Sequence, residues 1–201
     1  MDRADVAAPW EPIGLSDVGR LFQNLAVPWW VAGGWAIDLF VGHQTRSHAD
    51  LDVLVLRRDQ LEVKKHLSGW ELYAADPPGS LKLWGDFEEL SADVHDIWCQ
   101  PSPLFPWALE LMLADSSDET WIYRRDPRIQ LPLASIGRCS TSGLPYLVPE
   151  IQLLFKAKRP MRPKDEADFG HAYPLLDKHS KSWLREALTL TDSHHPWITQ
   201  L

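Results

Sequence analysis

Two carboxylates one residue apart, Asp50 and Asp52, open an apolar run, Val53-Leu54-Val55-Leu56. In an extended chain, side chains alternate between faces, so Asp50 and Asp52 project together while Leu51, Val53 and Val55 turn the other way. Two like charges about 4 Å apart repel by roughly 4 kcal/mol at an effective dielectric near 20, which favours a trapped proton or a bound cation. Hard oxygen ligands with no thiolate nearby suit Mg²⁺ or Mn²⁺, ions that retain waters and complete their shell with substrate phosphates. Upstream, Gly33-Gly34 permits positive φ and close backbone approach, so a phosphate could meet N–H groups at the start of the next helix. Such a pair alone is equally a tight turn. Arg46 could reach a triphosphate or pair with Asp38. Lys156, Lys158, Arg159, Arg162 and Lys164 form a basic cluster that could clamp a triphosphate or simply complement a helix C-terminus.

Positioning these groups requires a definite set of elements. A helical stripe over Leu15–Leu25 leads to a short strand, Trp29–Ala32, and the glycines then turn the chain into a helix over Trp35–Val41 that ends at Gly42. The carboxylate strand is Leu51–Leu56, followed by a helix over Asp59–Leu67. Strands are expected over Trp70–Ala74, Leu81–Trp84 and Ala92–Cys99, and a hairpin over Thr120–Leu131 turning at Asp126-Pro127. On the Ala92–Cys99 strand, Asp93 and His95 share one face, while Ala92, Val94 and Trp98 share the more apolar one. Asp93 is therefore preferred over Asp96 as a third carboxylate. Helices over Val148–Lys158, Lys164–Leu176 and Ser182–Thr189 predict a helical subdomain from residue 145. Asp165 and Asp168 fall in a helix first turn, where capping and the dipole explain acidic residues.

Of the 201 residues, 45% are hydrophobic, enough for one core with a small helical annex. Two cysteines without ligand spacing argue against a zinc site or a disulfide framework, and fit a reducing cytoplasm. The N-terminus lacks the pattern of a signal peptide, and Pro28, Gly33 and Gly34 break the longest uncharged run, so no membrane span is expected. A net charge of −8 disfavours a protein that grips a polyanionic backbone and suits a small, cationic acceptor better.

The spacing of Gly33-Gly34 and Asp50-Leu51-Asp52 resembles the signature of the nucleotidyltransferase superfamily, which has the DNA polymerase β-like fold. Gly33-Gly34-Trp35-Ala36-Ile37-Asp38, Gly42, Thr45-Arg46, His48 and Asp50-Leu51-Asp52 are closest to the group that adenylylates the 2″ hydroxyl of aminoglycosides, and to its uncharacterised relatives. A second block, Pro149-Glu150, Leu153 to Lys156, Arg162 to Asp165 and Asp168-Phe169, resembles the later helical part of the same proteins. The resemblance implies an α+β fold with a mixed-sheet catalytic domain, residues 1–144, and a helical subdomain, residues 145–201. It implies two Mg²⁺ ions held by Asp50, Asp52 and Asp93, and nucleotide contacts from Gly33, Gly34, Arg46, Lys156 and Lys164. Asp93 would also help deprotonate the attacking hydroxyl. The implied reaction carries a nucleoside monophosphate, from ATP, to a hydroxyl of a small acceptor such as an aminoglycoside. The alternatives are a toxin-like enzyme that modifies RNA or protein, and a nucleotide-binding module without turnover.

Overall fold

The computed structural model describes residues 8–77 and 79–201. In chain order its elements are α1 (Leu15–Phe22), β1 (Trp29–Val31), α2 (Gly33–Val41), β2 (Asp52–Leu56), α3 (Gln60–His66), β3 (Glu71–Ala74), β4 (Lys82–Leu83), β5 (Asp96–Gln100), β6 (Leu109–Ser117), β7 (Thr120–Ile122), β8 (Gln130–Pro132), β9 (Gly137–Cys139), β10 (Pro145–Leu147), α4 (Pro149–Lys156), α5 (Pro163–Ala172) and α6 (Lys178–Thr191). The fold is mixed α and β, as expected. Two compact units emerge, one formed by the chain up to Val31 with His48–Ser116, the other by Ala32–Ser47 with Ser117–Leu201. The chain therefore crosses between units three times, and a single boundary after residue 144 does not describe this division. The reason is local: α2 packs against α4 and α5, so its segment joins the C-terminal helices.

In the first unit the strands run in the order β4-β3-β5-β6-β2-β1. Among these neighbours β2 and β6 pair in parallel, and the others are antiparallel. A parallel pair needs a long connection, and α3 with β3 to β5 supplies it. From Val53 to Leu56 strand β2 is fully buried, which accounts for its unbroken apolar run. Phe22 of α1 is buried against Trp29 and His66, at ring separations of 5.1 and 5.9 Å. Two differences from the sequence reading matter. Strand β5 begins at Asp96 rather than Ala92, and β6, which that reading did not anticipate, supplies a long central strand.

The second unit contains the expected hairpin, β7 with β8, with Trp121 opposite Leu131. It adds the unanticipated pair β9 with β10. Every residue of α4 is buried, as befits a helix contacted by α2, α5 and α6. Helix α6 starts four residues earlier than expected because the Asp177 carboxylate accepts the Ser180 N–H at 2.8 Å and caps it. Near the C-terminus, Trp197 is fully buried, stacked on Phe169 at 4.2 Å and met edge-on by His195. No helix among the described residues is long and apolar enough to cross a membrane.

His195 is itself buried, and its Nε2 has no hydrogen-bond partner among the described residues. Burial first, then the nearby Arg159 charge, lowers its pKa below the ordinary 6.5, against the opposing pull of Asp192. The unfolded chain thus takes up this proton more readily than the folded one, so stability falls as pH drops below about 6.5. Thermal melts between pH 7.5 and 5.5 are expected to show a falling Tm. In His195→Asn, which keeps an acceptor for the Trp197 N–H, the pH slope should flatten, and an unchanged slope would show that His195 does not carry the effect.

Candidate active site

Asp50 and Asp52 stand just before the fully buried stretch of β2. Leu51 and Val53 are buried, whereas Asp50 and Asp52 are half-buried, which is the alternation an extended chain imposes. The ladder reaches back past the strand end, with the Glu110 N–H donating to the Leu51 carbonyl at 2.9 Å. Asp52 is in register with Glu110 on β6, and Glu110 with Trp98 on β5. Residues in register share a face, so Asp52, Glu110 and Trp98 form a transverse row of half-buried side chains. Glu110 is one strand away from Asp52, roughly 5 Å between Cα atoms. The sequence contained its signal, since Leu109, Leu111 and Leu113 alternate with Glu110 and Met112.

Asp93 does not join this row. It is exposed in a turn closed by the Val94 N–H on the Ser91 carbonyl, three residues before β5 begins. The parity argument for Asp93 fails because it assumed a strand where the chain is still turning. Asp96 is on the strand, in register with Met112, which is in register with Leu54. It therefore shares the face of Asp52, but two strands across and two residues along, roughly 12 Å between Cα atoms. The turn is held by Arg57, just beyond β2. Its guanidinium donates to Asp115 Oδ1 at 2.6 Å, to the Ser91 and Val94 carbonyls at 2.8 and 2.7 Å, and to His95 Nδ1 at 3.1 Å.

No three carboxylate, histidine or cysteine side chains among the described residues converge into a ready metal cage. Paired carboxylates backed by a neighbouring one suit an ion that takes one or two protein carboxylates and fills its remaining positions with water and phosphate. The donor set therefore fits Mg²⁺ or Mn²⁺.

In the second unit, Gly33 begins α2 with a φ of 65°, a backbone conformation suited to glycine. Its N–H donates to Gln152 Oε1 of α4 at 2.8 Å, a partner the sequence did not reveal. Gly34 follows it, buried, in the first turn. Asp38 is buried and accepts the Thr45 N–H and hydroxyl at 3.0 and 2.6 Å. Arg46 grips Asp168 with both arms, at 2.7 and 2.9 Å. Lys156 is buried beside the same carboxylate, 2.7 Å from Asp168 Oδ2 and 3.5 Å from Asp165 Oδ1. Arg162 closes the group with two bonds to Asp165, at 2.6 and 3.0 Å. Burial would raise the Asp168 pKa, but the Arg46 hydrogen bond and the Lys156 charge outweigh it and hold that carboxyl below its ordinary value. Asp165 and Asp168 thus do more than cap a helix: they bind the segment after α2 to α4 and α5. Lys164 stands apart from this buried group, exposed in the first turn of α5.

Residues 14–74 match the family model of the aminoglycoside-2″-adenylyltransferases. Over most of the chain, solved structures share the fold. The lincomycin-bound lincosamide antibiotic adenylyltransferase LnuA superposes with a TM-score of 0.57 at 16% identity, covering 83% of this chain and all of that one. This chain has the fold of the antibiotic nucleotidyltransferases. ANT(2″)-Ia in complex with adenylyl-2″-tobramycin superposes with a TM-score of 0.54, also at 16% identity, over 88% of this chain and 96% of the other. Among curated proteins, a lincosamide resistance protein of Staphylococcus haemolyticus is 42% identical over 33 residues, 16% of this chain. That match spans a fifth of the relative's length. In this chain the Gly33 turn opens α2, and Asp50 and Asp52 stand at the start of β2.

Breaking a buried pair by neutralising one partner costs about 3–5 kcal/mol, because the other charge is left uncompensated. Asp168→Asn should therefore lower the urea midpoint strongly, whereas Lys164→Met should shift stability by no more than about 0.5 kcal/mol. Equal midpoints for the two variants, followed by circular dichroism, would refute a structural role for the ion cluster.

Proposed function

We propose that this chain is an antibiotic nucleotidyltransferase that moves the nucleoside monophosphate of ATP to a hydroxyl of a small acceptor. The observation that carries this reading is the half-buried row in which Asp52 stands beside Glu110, with Asp50 two residues before it on the same face. Glu110 takes the role that the sequence reading gave to Asp93. The acceptor oxygen attacks the α-phosphorus, the bond to the bridging oxygen breaks, and pyrophosphate leaves. The acceptor proton passes to a carboxylate, a role we assign to Glu110.

Asp50 and Asp52 would hold a divalent cation, Mg²⁺ or Mn²⁺. Such an ion neutralises charge on the triphosphate and makes the α-phosphorus easier to attack. Gly33, Gly34 and Lys164 belong to the second unit, and their assignment to the phosphates rests on the sequence resemblance alone. Arg46 and Lys156, already committed to Asp168, act by holding those elements together. A cytoplasmic location, where ATP is available, agrees with two free thiols, Cys99 buried and Cys139 exposed.

Pyrophosphate release with ATP and Mg²⁺, across lincomycin, tobramycin and bulk tRNA, tests the reading. Acceptor-dependent release is expected with an antibiotic, and Asp50→Ala or Asp52→Asn should lower kcat on the order of 10²–10³-fold with the fold intact. Glu110→Gln is expected to lose on the order of 10²-fold or more, while Asp93→Asn stays within about twofold of the parent, as a surface change should. Release with tRNA alone would move the protein to RNA modification. ATP binding without release under any condition would favour a module without turnover. A loss in Asp93→Asn matching that in Glu110→Gln would return the third position to Asp93.

A further inference from the structure

The transverse row of the first unit continues beyond Trp98. Trp98 is in register with Tyr73 on β3, so Asp52, Glu110, Trp98 and Tyr73 face the same side of four adjacent strands. Gln100, two residues past Trp98, faces that side as well. Tyr73 and Gln100 line a cavity of about 290 Å³ under the turn that joins β5 to β6. The rest of its lining includes Pro103, Leu104, Phe105 and Trp107. None of the described residues that line it is charged. The nearby Glu71 carboxylate is already engaged, accepting the Tyr73 hydroxyl at 2.9 Å and the Gln100 amide at 3.0 Å. Leu104 is 95% exposed and Phe105 58%, two large apolar side chains at the cavity rim with little to cover them.

We propose that this cavity is an acceptor subsite that takes an uncharged apolar group, so that the preferred acceptor carries an alkyl or aryl substituent beside its reactive hydroxyl. This rests on the nucleotidyl-transfer reading and narrows its substrate class. Three observations converge. Tyr73 and Gln100 of its lining share the sheet face of Asp52 and Glu110. From Gln100 to Asp52 is two strands across and two residues along, roughly 12 Å, a span within reach of a drug-sized acceptor. Its volume, at the low end for small-molecule sites and about twice that of a cavity that holds benzene, suits one substituent rather than a whole ligand. A polycation would find no free carboxylate in the lining. The −8 net charge therefore does not select the acceptor here; the uncharged wall of Tyr73, Pro103, Leu104 and Phe105 does.

Lincomycin, which bears an alkyl substituent, and tobramycin, a polycation without one, are the probes. Calorimetry of each with the protein in the absence of nucleotide comes first. Lincomycin should bind with a negative heat-capacity change, the mark of apolar burial, and tobramycin at least tenfold more weakly. In the double variant Leu104→Ser/Phe105→Ser, lincomycin affinity and its KM are expected to worsen at least fivefold while the KM for ATP stays constant. Both side chains are exposed, so the variant should keep the parent Tm. An unchanged lincomycin affinity in the variant, tobramycin binding as tightly as lincomycin, or no lincomycin binding at all would each overturn the proposal. The nucleotidyl-transfer reading fails separately: lincomycin that binds through this cavity yet yields no pyrophosphate with any nucleotide leaves the subsite standing and removes the reaction.

Discussion

The first unit depends on a register. Strand β2 lies parallel to β6 so that Asp52 meets Glu110, and every buried contact on the opposite face follows from the same pairing, with Val53 beside Leu111 and Val55 beside Leu113. Two carboxylates side by side are unfavourable without a cation or a proton. Backbone hydrogen bonds and the apolar packing of the alternate residues hold them there, at a cost the sheet can sustain because Leu51, Val53, Leu111 and Ile97 are completely buried. Arg57 fastens the far end of the same arrangement, joining the segment after β2 to β6 through Asp115 and to the turn before β5.

In the second unit the organising charge cluster is of a different kind. Three cations, Arg46, Lys156 and Arg162, surround the two buried carboxylates of Asp165 and Asp168. Burying ions is expensive, and the expense is offset only where geometry and hydrogen bonding are good. The paired bonds of Arg46 to Asp168 and of Arg162 to Asp165 provide that geometry. The Gly33 turn is tied to α4 by the Gln152 side-chain amide, whose oxygen takes the Gly33 N–H.

What the sequence disclosed is what short-range rules govern. The Asp50–Asp52 strand could be read from alternation, the start of α2 from two glycines, and the hairpin at Asp126-Pro127 from turn chemistry. What it concealed depends on long-range pairing. Nothing local says that Glu110 will stand beside Asp52, because the two are separated by a helix and three strands. Nor does the spacing of Asp93 and Asp96 disclose that Arg57 would hold residues 91–95 in a turn and delay the strand. The basic residues near Lys156 were visible as a cluster, but their sorting into buried partners of Asp168 and an exposed Lys164 belongs to tertiary structure. Gln152 had no signal at all, since a glutamine in an apolar helix is ordinary until its acceptor is seen.

The transverse row gives this sheet an internal check on its own assembly. Side chains on a strand alternate with a period of two, so a slip of β6 by a single residue would turn Leu109 and Leu111 toward the face of Asp52 and drive Glu110 and Met112 into the core. A mispaired chain would then both bury a charge and lose its acidic neighbour. Correct packing of the core and the meeting of Asp52 with Glu110 are thus decided by one pairing.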